Sequence, residues 1–254
     1  MAVHYRTQGF CIKKVDRGEV DQFLTFYTKD YGKLEVLGKA IRKIKSKLRP
    51  GAELFYLSEI EFIQGKTHKT LIDAVLIEKF ENLRKDLKRL KIAHKIIENL
   101  DDLIKGQEAD EKIWHLLIET FEKLNSLNSK VKRIENSLSV ENPLLEILHH
   151  YFLWNFLTLS GYQLELYFCS LCQKKVGPQN LFFNPKEGGL ICHQCSGFLH
   201  KIPKKIDAET VKIIRLLLKK DWPILKKLKI EKENLNSLKV ISDCYFSEIL
   251  KEVK

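Results

Sequence analysis

The stretch QFLTFYTKDYGKLEVLGKA, residues 22–40, indicates how the first part of this chain folds. It contains two runs of β-branched, aromatic and aliphatic residues on either side of the turn-like segment KDYGK. Leu34 and Val36 alternate with charged residues, which is the period-two pattern of a strand with one buried face. The stretch therefore predicts two neighbouring strands.

Three further runs of the same kind surround this pair. They are YRTQGFCIKKV (residues 5–15), ELFYLSEIEFI (53–63) and THKTLIDAVLI (67–77). Glycine-containing segments separate the runs, and no helical pattern lies between most of them. Five short strands in this arrangement predict a small all-β barrel or sandwich over residues 1–77.

The periodicity changes to a helical one at Glu78. Apolar residues then recur at three-to-four spacing and its multiples, at Phe80, Leu83, Leu87, Leu90, Ile97 and Ile104. This pattern predicts one amphipathic helix that ends at Gly106. A second helix is expected after Asp110, and a third is expected to start at Pro143 with Asn142 as its N-cap and to end near Gly161. Residues 78–254 are therefore predicted to be a mainly helical domain.

Four cysteines interrupt the helical region in the pattern C-x2-C, nineteen residues, C-x2-C. They are Cys169, Cys172, Cys192 and Cys195. A C-x2-C turn directs two thiolates at one point, and two such turns complete a tetrahedron around Zn²⁺. We predict a zinc ribbon at about residues 167–197, with one structural zinc whose four thiolates leave no open position for catalysis. A redox-active dithiol, a site that has lost its metal, or another metal are the alternatives.

The charge balance indicates a polyanionic partner. Lys and Arg number 44 against 33 Asp and Glu, so the formal net charge is +11. The segment KAIRKIKSKLRPG contains no acid and follows the third predicted strand. Its basic residues are Lys39, Arg42, Lys43, Lys45, Lys47 and Arg49. A loop of six cations beside a barrel predicts contacts with a phosphate backbone, and a merely solvated loop is the alternative.

Barrels that bind single strands also need aromatic side chains on which bases stack. Most aromatic residues of the strand region are expected to be in the core. Tyr27 and Tyr31 adjoin polar residues and are our candidates for exposed stacking positions.

A basic stripe is expected on the first helix beside its apolar side. It consists of Arg84, Lys88, Lys91 and Lys95, at four-three-four spacing. Such a stripe is usually an ordinary solvated face, but it also fits a groove for an acidic peptide with an apolar tip.

We expect the chain to be cytoplasmic. The N-terminal residues MAVHYRTQGF lack the apolar core of a signal peptide. The longest uncharged run, residues 147–164, contains histidines, Asn155 and Gln163, which favours a buried helix over a membrane span.

The order of these parts resembles the RecO family of bacterial recombination mediators. The resemblance is carried by QGFCIKKVDRGEVDQFLTFYTKDYGKLEVLGKAIRK (residues 8–43), LSEIEFIQGK (57–66), LSGYQLELYFCSLCQ (159–173) and FFNPKEGGLICHQC (182–195). It covers nearly the whole chain. It implies an α+β multidomain protein with an N-terminal OB-fold β-barrel and a C-terminal α-helical domain that embeds a zinc ribbon with four cysteine ligands.

The resemblance also implies a function and partners. A member of this family would bind single- and double-stranded DNA, anneal complementary strands and act near the nucleoid. It would bind RecR and the C-terminal tail of single-stranded DNA-binding protein, and it would help indirectly to load RecA. The expected function is therefore DNA repair without catalysis. An RNA-binding or transcription-associated module with an OB fold and a zinc ribbon is the alternative.

Overall fold

The computed structural model describes residues 3–127, 143–199 and 203–253. The chain divides into two compact units, Met1–Leu127 and Asn128–Lys254. The first unit contains the strands of the predicted barrel and the helices that follow them. It therefore extends beyond residue 77, where the sequence changes from strand to helix periodicity.

Five strands of the first unit form one closed barrel. They are β1 (His4–Arg17), β2 (Asp21–Thr28), β3 (Gly32–Gly38), β4 (Leu57–Gln64) and β5 (Lys69–Glu78). Their order around the barrel is β1-β2-β3-β5-β4, and only the β3–β5 pair is parallel. The long strand β1 pairs with β4 through its first half and with β2 through its second half. This is the five-stranded topology of an OB fold, so the predicted fold class of the N-terminal region is confirmed.

Strand β2 is buried on both faces, which its sequence pattern did not indicate. Leu24 and Phe26 point into the barrel core. Tyr27 is only 1% exposed, and its ring lies 6.4 Å from that of Trp114. The prediction that Tyr27 is an exposed stacking residue is therefore wrong. Tyr31 is partly buried and packs edge-on against Phe62, at 5.4 Å between ring centroids.

Two helices lie over residues 78–106, where one was expected, and a third follows Asp110, as expected. They are α1 (Glu81–Arg84), α2 (Leu87–Leu103) and α3 (Glu111–Ser126). The single long helix is wrong because Asp86 adopts an extended conformation and its carboxylate accepts a hydrogen bond from the Lys88 amide, which starts a new helix. Leu87 is consequently 67% exposed rather than part of the apolar side. The cap predicted at Asp110 is confirmed, because its carboxylate accepts hydrogen bonds from two amides of α3.

An internal lysine connects the barrel to helix α2. The Lys33 ammonium group donates hydrogen bonds to the carbonyl groups of Asp101 (2.8 Å) and Ile104 (3.0 Å). It also forms a salt bridge with the Asp101 carboxylate. A cation at a helix C-terminus pairs with carbonyl groups that have no partner within the helix, so Lys33 stabilises the end of α2 against β3.

Four further helices belong to the second unit, apart from a short one in the ribbon. They are α4 (Pro143–Leu159), α6 (Ala208–Leu218), α7 (Trp222–Leu225) and α8 (Lys232–Val253). Helix α4 begins at Pro143, as predicted, and its expected N-cap, Asn142, lies outside the described residues. Gly161, with φ of 94°, follows its C-terminal end. The buried amide of Asn155 donates hydrogen bonds to the carbonyl groups of Tyr151 and Leu217, which connects α4 to α6.

Helix α4 is buried nearly all round, as expected for the longest uncharged run of the chain. No helix among the described residues is long and apolar enough to span a bilayer.

The cysteine segment contains two strands of a small three-stranded sheet, and the third strand follows the segment. The strands are β6 (Leu181–Asn184), β7 (Gly189–Ile191) and β8 (Lys204–Ile206), and the short helix α5 (His193–Ser196) follows β7. The antiparallel order is β7-β6-β8. This sheet and the four-cysteine group have the outline of the predicted ribbon.

Candidate metal centre and nucleic-acid interface

The two C-x2-C turns bring their four thiols to one point. The Sγ atoms of Cys169, Cys172, Cys192 and Cys195 all lie within 4.8 Å of one another. The Cys172 and Cys192 sulfurs are 3.8 Å apart, and all four cysteines are free of disulfides. Thiolates bound at about 2.3 Å around a tetrahedral zinc ion are roughly 3.8 Å apart, so these residues fit such an ion.

Backbone hydrogen bonds shape each turn of the cysteine group. In the first turn, the amide of Gln173 donates to the Cys169 carbonyl group at 2.9 Å. In the second turn, the Ser196 amide donates to the Cys192 carbonyl group at 3.0 Å. Gly189 lets the first turn approach β7, because a Cβ atom there would lie 2.4 Å from the Ser170 hydroxyl oxygen. Glycine therefore permits the close contact that brings the two turns together.

The thiols differ in their acidity. Burial raises the pKa of Cys169, but hydrogen bonds from nearby backbone amides, including those of Cys172 and Cys192, outweigh it and lower the pKa to about 6. A hydrogen bond with Cys192, followed by burial, raises the pKa of Cys195 to about 12. Four adjacent thiols cannot all ionise at neutral pH unless a cation offsets their charge, so the group is suited to metal binding.

The described residues contain no second group of three or more His, Cys, Asp or Glu close enough to hold a metal. The four thiolates would close the coordination shell of a tetrahedral ion. Such a site can hold a fold together and has no open position for a substrate.

The predicted basic loop lies between β3 and β4 of the barrel. Its six basic residues, Lys39, Arg42, Lys43, Lys45, Lys47 and Arg49, are all exposed. Ile41 is buried in the barrel core, and the Ala40 amide donates a hydrogen bond to the Asp21 carboxylate at 2.7 Å. These contacts anchor the start of the loop and leave its lysines in solvent.

Of the basic side chains of the loop, that of Arg42 is engaged within the protein. Arg42 lies 3.3 Å from the Asp16 carboxylate and donates a hydrogen bond to the Gly18 carbonyl group. Among the described residues, none of the other five basic residues of the loop forms a salt bridge. Five cations therefore face solvent without an acidic partner.

The basic stripe expected on one helix is divided between two. Arg84 ends α1, donates a hydrogen bond to the Leu54 carbonyl group at 2.6 Å, and lies over the Tyr56 ring at 4.7 Å. Lys88, Lys91 and Lys95 lie on α2 and are exposed. The structure thus separates Arg84 from the other three, and a peptide groove on α2 stays a prediction.

The barrel also has a cleft that the sequence did not reveal. It has a volume of about 200 Å³ and lies where β2 and β3 meet the segment between β4 and β5. Its lining residues are Phe23, Glu35, Gln64, Thr67, His68, Lys69 and Gln107. The signal available in the sequence was Phe23, which alternates with the core residues Leu24 and Phe26 along β2, but this alternation does not show that other segments form a cleft around it.

Comparison with known proteins identifies relatives along the whole chain. A family model described as Recombination protein O N terminal matches residues 1–80, and one described as Recombination protein O C terminal matches residues 84–252. DNA repair protein RecO from Alkaliphilus metalliredigens is 31% identical over 236 residues, which cover 92% of this chain and 89% of the relative.

Two other RecO proteins are similar to the chain over comparable lengths. The protein from Dehalococcoides mccartyi strain 195 is 30% identical over 93% of this chain and 87% of its own length. The protein from Moorella thermoacetica is 29% identical over 89% of this chain and 79% of its own length. With both family models matched and each relative covered over most of its length, the chain belongs to the RecO family.

Proposed function

We propose that this chain is a non-enzymatic mediator of DNA repair and recombination that binds single- and double-stranded DNA and anneals complementary strands. The observation that carries this proposal is the exposed basic loop on an OB-fold barrel. The family and the names of its relatives support the repair role, and they do not favour the RNA-binding alternative. Residues 1–77 would form the DNA-binding domain, and residues 78–254 the helical domain.

The mechanism we propose is electrostatic. Two complementary strands repel each other through their phosphates, and cations that neutralise phosphates release condensed counterions. Lys43, Lys45 and Lys47 are exposed and have no acidic partner among the described residues, so they are free to contact a backbone. Two strands held on one positive surface approach each other more readily, and base pairing supplies the driving force.

We propose that the metal of the four-cysteine group is one zinc ion. Four sulfur ligands around a tetrahedron favour zinc, and the 3.8 Å separation of two of them fits it. The ion would fix the two turns against β6 and β7 and would take no part in a reaction.

The family supports a set of partners and a location as further proposals. The chain would act with RecR and help to load RecA onto single strands coated with single-stranded DNA-binding protein. The acidic C-terminal tail of that coating protein would bind along Lys88, Lys91 and Lys95 of α2. This role would place the protein in the cytoplasm, at the nucleoid.

An annealing assay tests the proposal. Two complementary strands are coated with single-stranded DNA-binding protein and mixed with and without this protein at two salt concentrations. We expect faster annealing with the protein, and the acceleration should weaken at the higher salt. Binding of naked DNA without any acceleration would reject the mediator function, and tighter binding of RNA at matched salt would favour the RNA-binding module.

A further inference from the structure

The cleft on the barrel combines a ring with groups that recognise base edges. Phe23 is half-buried at the start of β2, and the Arg17 guanidinium lies over its ring at 4.8 Å from the centroid. The His68 ring meets Phe23 nearly perpendicularly at 5.1 Å between centroids. Phe23 lines the cleft, and Arg17 does not.

The position of the cleft matches the surface with which OB folds bind oligonucleotides. That surface consists of the face of strands 2 and 3 together with the loops after strands 1 and 4. Phe23 and Glu35 lie on β2 and β3, and Thr67 and His68 lie in the segment between β4 and β5. Glu35 also precedes Lys39, the first cation of the basic loop, by only four residues. Four residues span at most about 14 Å, so one bound strand can reach both features.

We propose that this cleft holds one base of a bound single strand, stacked on Phe23, and that Glu35 makes it prefer cytosine over thymine. The proposal rests on the proposed function, because it requires the barrel to bind DNA. It adds a contact to the base, whereas the basic loop contacts only phosphates.

Glu35 supplies the preference because it is a free acceptor. Its side chain is exposed and, within the described residues, has no hydrogen-bond or salt-bridge partner. Cytosine has an exocyclic amino group that donates a hydrogen bond to a carboxylate. The N–H of thymine lies between two carbonyl oxygens, which would be brought against the carboxylate charge. A pyrimidine with an amino group is therefore the better ligand.

Two variants at the cleft separate stacking from base preference. Phe23→Leu keeps an apolar side chain in the barrel wall but removes the aromatic face, and Phe23→Tyr restores it. Glu35→Gln keeps the size of an exposed side chain and removes its charge. Binding of fluorescently labelled dC and dT oligonucleotides of equal length is measured by anisotropy at constant salt, and thermal denaturation confirms that each variant is folded.

We expect the native chain to bind the dC oligonucleotide about tenfold more tightly than the dT one. Phe23→Leu should weaken binding of both oligonucleotides about five- to hundredfold, and Phe23→Tyr should restore it. Glu35→Gln should retain binding but bring the ratio of the two affinities towards one.

Unchanged affinity in Phe23→Leu, or an unchanged affinity ratio in Glu35→Gln, would overturn the proposal. The triple variant Lys43→Ala, Lys45→Ala, Lys47→Ala distinguishes this failure from failure of the proposed function. If the cleft acts as proposed, this variant should bind both oligonucleotides more weakly by the same factor, and the ratio of the two affinities should not change. If instead the native chain binds neither oligonucleotide in a salt-dependent manner, the proposed DNA binding itself fails, and the cleft proposal fails with it.

Discussion

The barrel and the ribbon are both small β structures, but different interactions hold them together. The barrel closes on a cluster of fully buried side chains that includes Leu24, Phe26 and Ile60. The ribbon has strands of three or four residues and leaves four large apolar side chains exposed, at Tyr167, Phe168, Leu171 and Phe198. A closed sheet surrounds a continuous apolar core, whereas a short open sheet buries little apolar surface and needs a cross-link.

Two cysteines show the same contrast at the level of single side chains. Cys11 is fully buried in the barrel core, and burial raises its pKa to about 12. Cys169 is also buried, but backbone amide hydrogen bonds lower its pKa to about 6. The first therefore serves as a small apolar side chain, and the second is available as a metal ligand.

The largest expected effect comes from removing a ligand of the metal. Cys192→Ser should abolish stoichiometric zinc and expose the amides of β6 and β7 to hydrogen exchange, because structural zinc contributes on the order of 10 kcal/mol to small sites. Zinc content is measured by metal analysis and protection by mass spectrometry, and the barrel amides should keep their protection. The matched control is Cys244→Ser, outside the group, which should retain the metal. Full zinc content in Cys192→Ser would show that the four thiols are not the site.

The converse change should affect the barrel and leave the ribbon intact. Phe26→Ala removes a fully buried ring and should lower the free energy of unfolding of the first unit by about 3–5 kcal/mol. Protection of the β2 amides against hydrogen exchange reports this loss, while zinc content should stay at one per chain. Phe198→Ala, at a side chain that is 85% exposed, should change stability by less than about 0.5 kcal/mol. Loss of zinc in Phe26→Ala would contradict the separation of the two regions.

Removing charges from the surface of the barrel is expected to have a smaller effect, because these charges contribute to DNA binding and not to folding. Lys43→Ala, Lys45→Ala, Lys47→Ala should reduce the slope of log affinity against log salt by about 2 for single-stranded DNA, without a change in thermal stability. Titrations at several salt concentrations measure this slope. The control with equal charge removal is Lys226→Ala, Lys227→Ala, Lys229→Ala in the second unit, which should alter the slope less. Equal slopes for both triple variants would assign the binding to overall charge rather than to the loop.

The smallest effect should come from a lysine that is directed inward. Burial raises the pKa of Asp101, but the hydrogen bond and charge of Lys33 outweigh it and hold the pKa below its usual range. The resulting stabilisation is present above about pH 4 and is lost as the pH falls through the lowered pKa of the folded protein. Lys33→Ala should therefore lower the free energy of unfolding by about 1–2 kcal/mol near neutral pH. The difference in this free energy between the variant and the native protein should become smaller in acid. Urea denaturation at several pH values measures the free energy of unfolding of both proteins. A difference that does not change with pH would show that the Lys33–Asp101 ion pair does not stabilise the fold.

Local patterns in the sequence predicted the features that depend on local chemistry. The four-cysteine group depends on spacing within two turns, and the strands and most helix starts depend on alternation and capping at residues such as Asp110. The break at Asp86 was missed because the apolar spacing continues across it from Leu83 to Leu90. The capping role of Asp86 becomes visible only in the structure, where its backbone is extended and its carboxylate accepts a hydrogen bond from the Lys88 amide.

Features that depend on contacts distant in sequence were not predictable. Tyr27 was predicted to be exposed because it adjoins polar residues, whereas Trp114 of α3 packs against it and leaves it only 1% exposed. The cleft at Phe23 depends on the approach of four separate stretches of the chain, one of which contains Gln107. No single stretch of sequence contains that information.

The order of the parts along the chain has a consequence for synthesis. The first unit is complete at Leu127, and Cys169 lies 42 residues further on. At about 5–20 residues per second, a ribosome needs roughly 2–8 s to make that interval and about 1–4 s more to pass from Cys172 to Cys192. The nascent chain can therefore fold its barrel before any thiol of the ribbon emerges, and then exposes half of a metal site for seconds. With the zinc ion proposed for the four cysteines, metal starvation is expected to leave chains with a folded barrel and an open ribbon, which is a form that proteases can recognise.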